Sequence, residues 1–317
     1  MPSTKTTLTS CYTPTASSSQ KHLLISKSLS TRPDGSGNPN QTRTSNSIRR
    51  LCLDRSILSS STGSSLIELG HTKVICSVHG PRPATSSSLI SATGKKEFHS
   101  KGILNCELRY APMFGIKPET RVETCSTNLD GYSSIGAFSG GSSGTNISAQ
   151  EIELSSRLHD AISPSIPLDL LMKSVVDVFI MVLQDDGSVF AASVIAASLA
   201  LSDAGVEIYD CVTACSVAVV PRSLVVKSGK EDVDENDDFG DNFYLLVDPV
   251  EHEILAAEGV VTLAFMSNWK EVTFWDQTGC LPPKVASEAA EMCRDGCKIM
   301  SKFMRKCLIG SSSSKLA

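Results

Sequence analysis

Cys211 and Cys215, and again Cys293 and Cys297, stand four residues apart, the kind of pairing that could open a metal site. A zinc site wants closer knuckles together with further Cys or His ligands at set distances, and the sequence supplies none, so no metal is expected. The chain carries eleven cysteines, and Cys76, Cys106, Cys211 and Cys215 lie inside apolar runs. Such cysteines read as small buried hydrophobes in a reducing compartment. Ser188 follows Gly187, but no G-x-S-x-G elbow and no nearby His–Asp partnership accompany it, which argues against a serine hydrolase. Asp177 interrupts an apolar run and reads as a buried acid with a structural hydrogen bond. His71 falls at a hairpin turn and should face solvent. Trp269 and Trp275 are able to stack bases, yet on a hairpin they read more simply as interface or core residues. Lys95, Lys96 and Lys101, in a loop between strands, are candidate cations for a polyanion-facing surface, with a plain exposed loop as the equal alternative.

The elements that would position these residues follow from hydrophobic periodicity. Leu66–Leu69 and Thr72–Val78 form two strands across the Gly70–His71 turn, the second ended by Pro81 and Pro83. Ile103–Tyr110 is another strand. Leu154, Leu158 and Ile162 recur every four residues and predict a helix from Gln150 to Ile162. Val175–Leu183 is almost continuously apolar, the signature of a strand covered on both faces. Phe190–Leu201 is apolar all round and closes on Gly205, which predicts a buried helix with a glycine cap. Val206–Val220 supplies one or two strands, and Tyr244–Val247, Val260–Phe265 and Glu271–Trp275 three more. After Pro282 and Pro283 comes a long amphipathic helix with Val285, Ala289, Met292, Ile299, Phe303 and Cys307 as its apolar stripe. Strands with intervening buried helices predict an α+β or α/β single domain of mixed sheets and packed helices.

The 317 residues are 41% apolar and 20% charged, a soluble globular composition. No run approaches the roughly 18 apolar residues of a membrane span. The net charge of −5 hides an asymmetry: residues 1–63 carry eight Lys/Arg against two Asp/Glu, whereas residues 229–242 carry seven acids against one Lys. Residues 1–46 are rich in Ser, Thr, Pro and Asn and should be a disordered basic extension. An acid-free start also fits an organellar transit peptide, but arginine is scarce there. The acidic segment 229–242 and the tail 311–317 are expected to be disordered too, leaving 47–310 as the folded body.

Four segments in order carry a family resemblance. Thr31-Arg32-Pro33-Asp34-Gly35 resembles the opening T-R-P-D-G-R of the ribonuclease PH family, with Ser36 in place of the last Arg. Gly63–Val74 with His79-Gly80-Pro81 is similar to that family's strand pair, Val182–Ser188 to its V-L-Q-x-D-G strand end, and Ala197–Gly205 to the helix beyond it. Leu246–Glu253 is similar to silent subunits of the branch that builds the eukaryotic RNA exosome ring. The resemblance implies a ribonuclease-PH-like fold, assembly with homologous subunits into a six-member ring beside cap subunits, contact with RNA, and residence in nucleus, nucleolus and cytoplasm.

Active members of that family attack the RNA 3′ end with inorganic phosphate, held by backbone N–H groups of a glycine-rich turn and by arginines, with carboxylates nearby for metal or proton. On these positions the resemblance yields a degenerate phosphate site, Gly187, Ser188 and Phe190, with Phe190 where the enzymes carry Arg. Ser148 falls where a second Arg is expected, and Arg109 or Arg121 would have to fold back to replace it. The carboxylate positions fall on Ile254 and Val260, and Glu253 and Glu258, five apart, would point to opposite faces of a strand. Asp185 and Asp186 suit a helix start but would repel phosphate by about 4 kcal/mol each at ~4 Å and an effective dielectric near 20. The expectation is a subunit with no catalytic residues, no metal and no cofactor that scaffolds RNA processing and decay; an active phosphorolytic exoribonuclease is the alternative.

Overall fold

The fold is seen in a computed structural model that describes residues 43–83, 101–111, 148–221, 243–310 and 314–315. Ten strands and four helices appear among them. In the chain, β1 (Leu51–Arg55), β2 (Gly63–Leu69), β3 (Thr72–Pro83) and β4 (Ile103–Tyr110) precede α1 (Ala149–Ile162). Next come β5 (Ser174–Gln184), α2 (Val189–Asp203), β6 (Val212–Pro221) and β7 (Phe243–Val247). Finally α3 (Glu251–Ala256), β8 (Gly259–Met266), β9 (Glu271–Gly279), α4 (Pro283–Ile309) and β10 (Ser314–Lys315) complete the order. One sheet runs β10-β1-β2-β3-β5-β4 and is mixed, because β4 pairs with β5 in parallel. The other runs β7-β6-β8-β9 and is antiparallel throughout.

Helix α2 lies between the two sheets, which is why its sequence is apolar on every side: Val189 and the whole run Ala191–Leu201 are buried. Its N-terminal neighbour α1 packs beside it against β4 and β9. The principal core joins Leu53, Ile67, Val74, Val78 and Ile180 of the six-stranded sheet to Ile195 and Leu199 of α2. A second core lies between the four-stranded sheet and α4, around Val217, Val261, Leu263, Ala289 and Cys293.

Several expectations change in three dimensions. The strand buried on both faces is β6, held between α2 and α4, whereas β5 exposes Phe179 and Met181 at 41% and 47%. A continuous apolar run states that both faces are water-averse, and cannot state which partner covers each one. Pro83 ends β3 as expected, whereas Pro81 does not. The strand passes a bulge between His79 and Arg82 and pairs Pro83 with Ser174, since a proline at a bulge or strand end sacrifices no ladder hydrogen bond. Within α4 the buried side is Val285, Ala289, Cys293, Cys297, Met300, Met304 and Cys307, while Ile299 is exposed and Phe303 half-buried. Cysteine and methionine fill the seam that the larger side chains were expected to fill.

The folded body also begins before residue 47. Arg43 is buried, and the Ser45 carbonyl accepts the Val247 N–H at 2.9 Å, so residues 43–46 belong to the packed structure. At the other end, residues 314–315 of the expected disordered tail pair with Cys52 and Leu53 of β1 and cover that sheet edge. The remainder of the N-terminal extension and the acidic segment 229–242 lie outside the described residues.

Gly63 opens β2 directly beneath the end of α2. A Cβ there would fall 2.3 Å from the Ala204 nitrogen and 2.4 Å from the Ala200 carbonyl oxygen. Since both obstacles are backbone, Gly63→Ala should displace the helix end and cost about 1–3 kcal/mol, read as a lower urea midpoint with an unchanged slope.

Candidate functional site

The turn from Gln184 to Val189 joins β5 to α2, and two residues take left-handed backbone there, Gly187 (φ 84°) and Ser188 (φ 56°). Glycine is required at 187 for a second reason: a Cβ would meet the Pro249–Glu251 backbone at 2.7–2.8 Å. The Ser188 hydroxyl donates to the Pro249 carbonyl at 3.1 Å and does not cap α2. The turn is therefore pressed against the segment that follows β7.

Two of the N–H groups that an anion would need are already engaged. Gly187 N–H donates to the Asp185 carboxylate at 3.0 Å, and Asp186 N–H donates to Thr72 Oγ1 at 3.1 Å. The Thr72 hydroxyl in turn donates to the Gly187 carbonyl at 2.8 Å. A carboxylate of the chain itself thus sits against the turn's backbone donors. Asp185 and Asp186 differ from the free helix-start charges expected of them: Tyr110 Oη donates to Asp185 at 3.4 Å, and Asp186 lies 3.7 Å from the Arg49 guanidinium. Burial, followed by the charge of and hydrogen bond to Asp185, pushes the Tyr110 phenol up. Burial also raises Asp186, with Arg49, His71 and His252 opposing it.

Beneath the turn lies an arginine pair that pattern reading of the sequence missed. Arg49 is 1% exposed and grips Asp248 through Nη2 to Oδ1 at 2.7 Å and Nε to Oδ2 at 2.9 Å. Its own backbone N–H donates to Oδ2 at 3.0 Å, and its remaining donors reach the Asp186 and Gly187 carbonyls at 2.9 and 3.1 Å. Arg43 Nη2 donates to the Asp248 carbonyl at 2.8 Å and approaches Glu253 at 3.5 Å. The signal was present as the Arg49-Arg50 doublet before β1 and as Asp248 closing β7, but nothing in local sequence pairs residues 199 positions apart. Burial alone would push the Asp248 carboxyl up; the charge and hydrogen bonds of Arg49, with the charge of Arg43, outweigh it and hold the group below the ordinary carboxylate value. For Arg49, burial works against the cation, and Asp248 more than compensates.

The other expected positions are placed as follows. Phe190 stands at the first turn of α2 and packs on Phe274 with ring centroids 5.2 Å apart. Ser148 caps α1, accepting from Glu151 N–H at 3.2 Å while Glu151 accepts the Ser148 N–H at 2.9 Å. Arg109 is turned to Glu107 and brings no charge to the turn; Arg121 lies outside the described residues. Ile254 belongs to α3 and Val260 to β8. Glu253 and Glu258 do not share a strand as expected: Glu253 is buried in α3, accepting Val250 N–H at 3.0 Å, and Glu258 is in the connector before β8. The Val250–Glu253 capping arrangement turns the chain into a helix where the family spacing suggested a strand. Asp177 is buried and receives the Asn105 amide at 2.8 Å and the Arg82 guanidinium. Lys101 pairs with Asp169 at 3.1 Å, both largely exposed, and Lys95 and Lys96 lie outside the described residues. His71 is exposed at its turn, and Trp269 and Trp275 are 57% and 43% exposed.

Removing one member of a buried ion pair strands the other, at about 3–5 kcal/mol. Arg49→Met and Asp248→Asn should each lower unfolding free energy by about that amount in urea titrations. A depressed carboxyl contributes stability above its unfolded value and loses it as pH falls through its folded value. The wild-type chain should therefore lose this contribution as pH falls below the ordinary aspartate value of 3.8, and Asp248→Asn should show a flatter acid limb in pH-dependent melting.

Comparison with known proteins agrees with this architecture. Residues 47–207 match the model of the 3′ exoribonuclease family, domain 1 (RNase PH). The chain is 30% identical over 283 residues to the Arabidopsis thaliana exosome complex component RRP41-like, covering 89% of this chain and 86% of that protein. It is 28% identical to the Schizosaccharomyces pombe exosome complex component mtr3 over 78% of this chain and 77% of that one. It is 31% identical to human exosome complex component MTR3 over 57% and 59%. The crystal structure of rice Rrp46 superposes with a TM-score of 0.58 at 19% identity, over 84% of this chain and 98% of that one, a likeness of fold. With the two-sheet frame, the β5–α2 turn and the family match in agreement, the chain belongs to the ribonuclease PH family.

Proposed function

We propose that this chain is a non-catalytic subunit of an RNA exosome core ring, supporting 3′–5′ RNA processing and degradation by scaffolding and by guiding RNA. One observation carries the reading. At the turn where a phosphorolytic enzyme of this family would seat phosphate, the Asp185 carboxylate takes the Gly187 N–H, and Phe190 replaces a guanidinium with a ring packed on Phe274. Arg49 does not substitute, because its donors are committed to Asp248 and two carbonyls. The relatives named as exosome components support the assembly half of the reading.

The outer face of the six-stranded sheet suits docking to homologous ring subunits. Phe179 and Met181 of β5 stand exposed, paired across the ladder with Ser77 and Ile75, and His79 meets Phe179 edge-on at 5.9 Å. Side chains of this size left on a sheet face favour a partner over water. Cap subunits would complete the assembly, Lys95, Lys96 and Lys101 would line the RNA path, and nucleus, nucleolus and cytoplasm are the compartments in which rRNA maturation and mRNA decay would use it.

Co-purification of the tagged chain should recover other ribonuclease-PH-type subunits in a hexameric ring. Incubated with RNA, magnesium and inorganic phosphate, the purified chain should release no nucleoside diphosphate, and Phe190→Arg should not restore release while Asp185 still occupies the turn. Phosphate-dependent release by the unaltered chain would establish the alternative, an active phosphorolytic exoribonuclease.

A further inference from the structure

We infer that the C-terminal half of α4, together with the β8–β9 turn, forms a binding surface for single-stranded RNA, separate from the β5–α2 turn. Within nine residues of α4, Lys298, Lys302, Arg305 and Lys306 supply four cations in a chain whose net charge is −5. They fall at i, i+4, i+7 and i+8, so they share one broad side of the helix over about 12 Å. Lys298 is paired with Asp295 at 2.8 Å, and Arg305 lies 3.7 Å from Asp210. Among the described residues Lys302, Lys306 and Lys270 of the adjoining turn are exposed with no carboxylate within 4 Å. A helix C-terminus is stabilised by one or two cations in its last turn, and that does not account for a cluster extending two turns back to Lys298.

Beside this basic side stand two exposed aromatic residues, Trp269 and Tyr209, 57% and 55% exposed, with ring centroids 5.8 Å apart and edge-on. An edge-on pair leaves ring faces open to a planar ligand. They are held in place. Asp210 is buried and accepts the Asn268 N–H at 2.7 Å and its side-chain amide at 3.1 Å, while Arg305 donates to Asn268 Oδ1 at 2.6 Å. This clamp fixes the loop bearing Tyr209, the turn bearing Trp269 and the basic helix to one another. Lys306 lies over Phe303 at 5.2 Å, so that side of the helix alternates cation and ring as well.

Cations that follow a strand backbone, with aromatic faces that accept successive bases, are what a protein needs to hold unpaired nucleic acid without reading sequence. Duplex bases are already stacked and offer Trp269 no face. The acidic segment 229–242 is the other polyanion at hand, but it follows the end of β6 and leads into β7. Val219 of β6 pairs with Gly259, and Gly259 with Gly279, just before α4 begins. The basic side starts about 22 Å along that 27-residue helix, at Lys298, and reaches about 35 Å at Lys306, at 1.5 Å per residue. That segment carries carboxylates but no bases for Trp269 and Tyr209 to accept, so the occupant is taken as an external nucleic acid. The inference goes beyond the ring reading and does not need it, since the surface belongs to this chain alone.

The test is fluorescence anisotropy of labelled oligo(U) and of a duplex of equal length, with the full chain across a salt series. The single strand should bind better than the duplex. Lys302→Glu combined with Lys306→Glu should weaken it at least ~10-fold and flatten the salt slope by about 1.4, two phosphate contacts at ~0.7 each. Trp269→Ala should cost about 10-fold, the effect of one lost base stack. Lys302→Gln with Lys306→Gln should fall between wild type and the reversal, and Lys284→Glu at the far end of α4 should change nothing. Unchanged melting midpoints establish that the variants fold. Equal affinity of wild type, reversal and Trp269→Ala would overturn the inference, as would variants that lose co-elution with partner proteins while keeping wild-type RNA affinity.

Discussion

A guanidinium and a carboxylate, both removed from water, tie the two halves of this molecule together. Arg49 enters β1 of the six-stranded sheet, Asp248 closes β7 of the four-stranded sheet, and between them run three hydrogen bonds. Burying either charge alone would be prohibitive, so each fixes the other. The geometry then propagates: the remaining Arg49 donors hold the carbonyls of the turn that launches α2, and Arg43 closes the far side on Asp248 and Glu253. Asp248 itself adopts φ 52°, a left-handed backbone that the surrounding contacts hold in place.

This arrangement makes the β5–α2 turn part of the packed frame. Two N–H groups and two carbonyls of the turn are engaged from within, by Asp185, Thr72 and Arg49. The turn acts as a structural joint, tied to Arg49 and to the Pro249 carbonyl. A bound anion would have to displace a carboxylate that is covalently part of the same loop, and so present at very high effective concentration.

The two exposed regions differ in kind. The β5 face is apolar and belongs to a sheet surface that a neighbouring subunit can cover. The α4 corner carries exposed lysines and an aromatic pair locked by Asp210 and Asn268. Apolar area favours protein association, whereas open charge beside edge-on rings favours a polyanion.

Much of the architecture was legible along the chain. Periodicity located β4 as Ile103–Tyr110, the α1 helix ending at Ile162, and α2 as a helix apolar on all sides, because 3.6- and 2-residue repeats are local consequences of which faces avoid water. Short motifs carried the family resemblance. What local sequence could not hold was the pairing of distant groups. The double burial of β6, the switch of the α4 seam to cysteine and methionine, the α3 helix around Glu253 and the Arg49–Asp248 bond each depend on which surface arrives opposite. A residue's environment in the interior is set by neighbours far away in the chain, and only the assembled fold brings them within the few ångströms over which packing and charge act.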